Sequence, residues 1–375
     1  MSALFSNVSQ LNWQQVVMWC IGGLLIYLAI RKDMEPTLLL PLGFGAILVN
    51  LPMSGAVTQV YDGIAEIGVI DVLFDAGIAN ELFPLLLFVG IGAMIDFEPL
   101  LTNPKLMIFG AAAQFGIFFT LSLAALFGFD LKDAASIAII GAADGPTSIF
   151  VANYFHSKYI GAIMVAAYSY MALVPVVQPP VIKLLTTKQE RRIRMAYQQR
   201  SVSKITKILF PIAITVITGI VSPRSVALIG FLMFGNLIRE CGVLDSLSET
   251  AQKVLANLVT LFLGITIATK MQAQYFLTAE TLLILGLGLV AFVFDTAGGV
   301  IFAKILNLFL PKDSKINPMI GAAGISAFPM SARVVHKLGR AEDPQNFLLM
   351  PAVGVNVSGQ IASVIAGGLI LNLLG

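Results

Sequence analysis

Long apolar runs recur from residue 16 to the C-terminus, many of them long enough for a helix to cross a bilayer. The first spans 16–30 and closes on Arg31-Lys32, and the second, about 37–51, is short. Further spans follow at about 82–97, 105–129, 134–153, 159–182, 208–221, 225–239, 252–269, 280–310, 317–338 and 345–374. The pattern predicts an all-α polytopic membrane protein with about eleven or twelve transmembrane segments. The run at 280–310 is one long helix or two pieces around Gly298-Gly299. Two of the segments, 134–153 and 317–338, carry internal Gly and Pro and are expected to be broken helices. The first run lacks a basic start and a small-residue cleavage site, so it reads as a retained span rather than a signal peptide.

The polar intervals differ in charge. Residues 53–81 contain no Lys or Arg but do contain Asp62, Glu66, Asp71, Asp75 and Glu81, and read as a polar loop. The stretch 183–207 carries Lys183, Lys188, Arg191, Arg192, Arg194, Arg200, Lys204 and Lys207 against Glu190 alone, which places it in the cytoplasm by the positive-inside rule. Four crossings separate the two stretches and would put both on one side. Either the acidic loop docks a cytoplasmic partner or one intervening segment is re-entrant.

Short motifs recur in order. Leu87-Phe-Val-Gly-Ile matches Leu261-Phe-Leu-Gly-Ile, Ile140-Gly-Ala-Ala matches Ile320-Gly-Ala-Ala, and Gly43-Phe44 more weakly matches Gly230-Phe231. The chain therefore divides into an N-terminal membrane repeat (1–182), a basic cytoplasmic loop (183–207) and a C-terminal membrane repeat (208–375). Interrupted segments in corresponding positions of two halves point to a midplane binding site. An odd number of spans per half makes the repeats inverted, an even number parallel.

Composition agrees. Of 375 residues 57% are hydrophobic and 12% charged, with mean hydropathy +0.88; soluble domains carry about 25% charged residues. A net charge of +2 gives no reason to expect a nucleic-acid partner. Cys20 and Cys241 have no metal spacing, and two widely separated histidines, His156 and His336, make a zinc site improbable. There is no phosphate-binding glycine loop and no Ser/His/Asp arrangement.

Chemistry concentrates at Ile139–Phe150, where Asp144 stands in an apolar segment and Gly145-Pro146 follow at once. A charge at bilayer depth costs roughly 2.5–3.5 kcal/mol on insertion scales, and freed carbonyls there need partners too. A cation satisfies both, with the Thr147 and Ser148 hydroxyls completing an oxygen shell; the plainer alternative is a carboxylate capping the next turn. The second interrupted stretch, Asn317 to Arg333, offers Ser326 and a guanidinium suited to gripping a carboxylate. Arg333 reads equally well as a helix-end residue beside Lys337 and Arg340. Tyr168-Ser-Tyr170 precedes Pro175, Gln178 and Pro179-Pro180, Asn356 stands between small residues, and Asp295-Thr296 supplies a second intramembrane carboxylate.

Ile-Gly-Ala-Ala-Asp144-Gly-Pro-Thr, Ala-Tyr-Ser-Tyr170-Met-Ala-Leu-Val-Pro, Gln-Pro-Pro180, Asn317-Pro-Met-Ile-Gly321 through Ala-Arg333-Val-Val, and Asn346-Phe-Leu-Leu-Met resemble the integral-membrane beta subunit of the sodium-pumping biotin-dependent decarboxylases. That family includes the oxaloacetate, methylmalonyl-CoA and glutaconyl-CoA enzymes. The likeness spans nearly the whole chain. It implies a multi-pass protein of the bacterial inner membrane that decarboxylates carboxybiotin and drives Na+ outward while consuming a proton. The carboxybiotin would be carried on a partner, so the implied partners are a soluble carboxyltransferase subunit, a biotin carrier protein and a small single-span membrane subunit, with a second copy of the chain as a further candidate. The resemblance implicates Asp144, Tyr170, Asn317, Gly321, Ser326 and Arg333 in Na+ or proton handling and matches Asn356 to a family position. Taken with the residues' own chemistry, this puts Asp144, Tyr170 and Arg333 in catalysis, Arg333 and Ser326 on carboxybiotin, and Asp144, Thr147, Asn317, Gly321, Ser326 and Asn356 on Na+. Around Asn356 the chain reads Pro351-Ala-Val-Gly-Val rather than the family's His-Ala-Met-Gly-Pro, and Phe328-Pro329 replaces Val-Pro. A stand-alone Na+/H+ exchanger or Na+-carboxylate symporter with a duplicated broken helix is the alternative.

Overall fold

The computed structural model describes residues 11–61, 63–195, 201–311 and 314–375; Asp62 and Arg200 lie outside the described residues. In the first half come α1 (Trp13–Lys32), α2 (Pro36–Val49), β1 (Gln59–Tyr61), β2 (Ile64–Glu66), α3 (Val69–Phe74), α4 (Leu82–Met94) and α5 (Glu98–Thr102). They are followed by α6 (Met107–Ala113), α7 (Phe115–Leu126), α8 (Leu131–Ala138), α9 (Gly145–Tyr154) and α10 (Ile160–Leu185). The basic stretch contributes α11 (Lys188–Arg191). The second half has α12 (Lys204–Val221), α13 (Val226–Cys241), α14 (Asp245–Glu249), α15 (Ala256–Ile267), α16 (Ala273–Phe276), α17 (Ala279–Phe309), α18 (Met330–Glu342) and α19 (Leu349–Leu374).

Seven helices among the described residues are long and apolar enough to cross a membrane, and one bent pair, Val69–Ala79 with Leu82–Met94, passes the same test together. The protein is thus a mostly helical, multi-pass membrane protein. The 280–310 run is one continuous helix through Gly298-Gly299. The acidic stretch departs from an all-α reading: β1 and β2 pair antiparallel with Gln59 opposite Glu66. Asp71 fastens this hairpin by accepting the Thr58 N–H at 2.6 Å.

Neither interrupted segment is a through-going helix. In the first, α8 tightens into a 3-10 turn at Ile139–Ala142, Ala143 takes a left-handed φ of 51°, and α9 starts afresh. Its two ends come back together, because Asp133 Oδ1 accepts the Ser157 hydroxyl at 2.6 Å. Asn153 also donates to Ala79 O at 2.9 Å, beside the acidic stretch. The second is a 3-10 run at Pro318–Gly324, an extended Ile325 and then α18. Its ends meet as well, but at the basic stretch. Asn317 donates to Arg191 O at 2.9 Å, Arg191 pairs with Glu342 at 2.7 Å, and Arg194 pairs with Asp343 at 2.7 Å. The ends of each segment therefore lie together, the first pair beside the acidic stretch and the second at the basic stretch.

The basic stretch is tied down by ion pairs with residues distant in sequence. Besides those pairs, Lys207 meets Glu98 at 2.7 Å and Lys304 meets Glu190 at 3.2 Å. The Lys207 ammonium holds the Glu98 carboxyl below its ordinary value, and Arg194 does the same for Asp343. Inside the bundle α17 presses directly on the second interruption: Gly299 and Gly321 each lie against the other's carbonyl, and a Cβ on either would collide with it.

Candidate functional site

Asp144 is the N-cap of α9 and is only 2% exposed. Pro146 sits in the first turn of that helix, where its missing N–H costs nothing. Asp144 Oδ1 accepts the Thr147 N–H at 3.3 Å, while Oδ2 accepts the Thr147 hydroxyl at 2.7 Å and the Ser363 hydroxyl of α19 at 3.0 Å. The Ser148 hydroxyl donates to the Asp144 carbonyl at 2.8 Å. Ser326 donates to Ser363 and to Gly359 O, and its own N–H reaches Ala142 O at 2.9 Å. The two interruptions thus touch beside a buried carboxylate, in a nest of hydroxyl oxygens. Hydroxyls rotate, so the oxygens that face the carboxylate as donors can turn lone pairs to a cation instead. No group of three or more His, Cys, Asp or Glu that could hold a metal ion exists among the described residues. One carboxylate with neutral oxygens suits a hard monovalent ion rather than a transition metal.

The second interruption has a different chemistry. Its freed carbonyls are taken by amide side chains from three helices. Gln178 donates to Ala322 O at 2.8 Å, Gln114 to Gly324 O at 3.3 Å, and Asn356 to Ala323 O at 3.0 Å and Ile325 O at 2.7 Å. Asn356 also donates to the Ser331 hydroxyl at 3.0 Å.

Residues 14–374 match the family of the Na+-transporting oxaloacetate decarboxylase beta subunit. The chain is 49% identical to the glutaconyl-CoA decarboxylase subunit beta of Acidaminococcus fermentans, over 97% of this chain and 94% of that one. It is 46% identical to the methylmalonyl-CoA decarboxylase subunit beta of Propionigenium modestum, over 97% and 96% of the two chains. With the oxaloacetate decarboxylase beta chain of Klebsiella pneumoniae it shares 44% identity, over 95% and 94%. The chain belongs to this family. Its members are beta subunits of multi-subunit, Na+-pumping, biotin-dependent decarboxylases, which sets aside the stand-alone exchanger or symporter.

Against that identity, the geometry sorts the residues expected from the sequence. Asp144, Thr147 and Ser326 come together. Asn356 stands one layer away, on the carbonyls that lead into Ser326. Four others do not reach the carboxylate. Asn317 holds the backbone of Arg191 and Ile193 at the basic stretch. Gly321 is spent on the contact with Gly299. Tyr170 turns away to donate to Leu285 O on α17, and Tyr168, two residues earlier and so on the opposite face of α10, packs its ring on Gly145. Arg333 is exposed on α18, with Glu35 as the acid whose field it feels: burial raises the Glu35 carboxyl, and Arg333 opposes the shift.

Ser363 and Gln114 escaped the sequence reading. A signal for Ser363 existed, since Asn356, Gly359, Gln360 and Ser363 fall at i, i+3, i+4 and i+7, a polar stripe down one face of an otherwise apolar helix. Gln114 had none beyond being a lone amide in a span.

Proposed function

We propose that this chain decarboxylates carboxybiotin delivered by a partner carrier and couples that step to Na+ export with consumption of a proton. The observation that carries the reading is the buried Asp144 carboxylate, held by the Thr147 and Ser363 hydroxyls, with Ser326 behind Ser363, where the two interruptions touch. Na+ and a proton compete for that carboxylate. A proton released there as Na+ binds goes to the ureido nitrogen as the N–CO2 bond breaks, leaving neutral biotin and CO2.

An inverted duplication underlies the arrangement. Helix α2 packs on α15 as α13 packs on α4, α10 on α17 as α19 on α6, and α10 on α9 as α19 on α18. The first two pairings are exchanged between the halves and the third repeats within each; with one hairpin returning at the acidic stretch and the other at the basic stretch, this is expected of two halves related by an axis in the membrane plane. Treating both interruptions as re-entrant leaves three crossings, α4, the α6–α7 pair and α10, between acidic and basic stretches. The two then lie on opposite faces, as their charges require. The basic face is cytoplasmic, in the bacterial inner membrane, and Arg333 on the hairpin open to it is placed to receive the carboxylate of carboxybiotin. The soluble carboxyltransferase, carrier and small membrane subunits dock there, while Asn317 fixes the loop that forms the docking floor.

The test is the whole decarboxylase complex reconstituted in liposomes. Asp144→Asn abolishes both Na+ uptake and Na+-dependent release of CO2 while the soluble carboxyl transfer to biotin continues. Retention of Na+-coupled turnover by that variant would refute the reading.

A further inference from the structure

A second carboxylate lies in the same layer of the bundle and is unused by the reaction as described. Asp295, on α17, is fully buried. The turn at Gln114 ends α6 and starts α7, exposing the N–H groups of the new helix. Asp295 Oδ1 takes the N–H of Ile117 at 3.2 Å, and the Gly116 N–H also bonds to the carboxylate. A helix N-terminus favours the charged form of such a group, and burial opposes it. Its other oxygen has no hydrogen-bond partner among the described residues. That oxygen faces Gly141, where an added Cβ would come to 2.6 Å from it. Gly141 belongs to the 3-10 turn at Ile139–Ala142 that ends in Asp144. Buried hydroxyls of Thr296, next in the chain, and of Thr120, one turn on from Gly116, are also without partners. A buried ionised carboxylate with a bare oxygen is costly in a bilayer unless a counter-charge meets it.

We propose that Asp295 Oδ2 is a ligand of a second monovalent-cation site, distinct from that at Asp144 and built between α17, the N-terminus of α7 and the Gly141 turn. The cation it takes is the Na+ that the family transports, so the inference rests on that activity but not on Asp144 being a site. A purely structural role is the competing account: Asp295 would then serve only as the cap of α7. Asparagine separates the two, because its carbonyl oxygen keeps the cap while the amide replaces the bare oxygen.

The experiment is equilibrium binding of radiolabelled Na+ to the purified complex, for the wild type and for the Asp295→Asn and Asp144→Asn variants. The expected result is that each variant loses a different class of bound Na+ and keeps the other. Wild-type Na+ binding by Asp295→Asn would overturn the proposal. Loss of Na+ in Asp295→Asn but none in Asp144→Asn would sustain it while removing Asp144 from the ion path. Gly141→Ala provides a second check that keeps the Asp295 side chain itself: the added methyl crowds both Oδ2 and Ala291 of α17. It should reduce binding to the same class, and unchanged binding there would count against the site.

Discussion

The two interruptions share four residues, Ile-Gly-Ala-Ala, and both run as 3-10 turns, yet they end in opposite chemistries. At 140–143 the turn leads into Asp144, which caps its own helix and gathers hydroxyls. At 320–323 it leads into Gly324 and Ile325, and Gln114, Gln178 and Asn356 fasten the liberated carbonyls. A carbonyl already held by an amide is a poor ligand for a moving ion, whereas a carboxylate held by rotatable hydroxyls is a good one. On the function proposed above, the first interruption is the site and the second its frame. The position after the shared motif is Asp in one and Gly in the other, and that one difference parts their chemistries.

The largest effect should come from the site. Asp144→Asn lowers Na+-dependent decarboxylation by more than about 100-fold, read as CO2 release at saturating Na+, with a melting temperature near that of the wild type. Breaking the frame acts on stability instead. Asn356→Ala strips donors from Ala323 O, Ile325 O and the Ser331 hydroxyl and costs about 1–3 kcal/mol, measured by unfolding in detergent. Ser363→Ala removes one hydroxyl from Asp144 and should raise the half-saturating Na+ about 10-fold at little cost in maximal rate. Proton competition sharpens the same contrast: as pH falls, half-saturating Na+ rises toward about tenfold per pH unit in the wild type. An Asn356 variant that folds should follow the wild-type slope.

The smallest effect lies at the periphery. Glu98 has a folded pKa below its unfolded one, so its tether to Lys207 is present above the unfolded carboxyl value of about 4.3. It is lost as pH falls through the depressed folded value. Acidification should speed hydrogen exchange at 201–207 by an amount worth less than about 1 kcal/mol, leaving the interior of α9 unchanged.

Much of this was legible in the chain. Apolar run lengths gave the membrane class, Gly145-Pro146 and Pro329 marked where helices fail, and Asp144 was singled out by its depth. What the sequence left open was tertiary. Run length cannot distinguish a crossing from a hairpin that turns back, because both are apolar; that Asp133 meets Ser157 across 131–154 is visible only in three dimensions. The β-hairpin at 59–66 was hidden in a stretch read for its charge. Tyr168 and Tyr170 could not be separated without knowing which face of α10 meets α9. Ser363 lay more than two hundred residues from the carboxylate it touches.

The most direct test compares density maps of the complex prepared in Na+ and in a Na+-free buffer of the same ionic strength. The account predicts a difference peak in contact with Asp144 Oδ2, Thr147 Oγ1 and Ser363 Oγ, with the amides of Gln178 and Asn356 still on their carbonyls. A peak seated instead on the carbonyls of 322–325, with those amides displaced and Asp144 still wrapped in its hydroxyls, would contradict it.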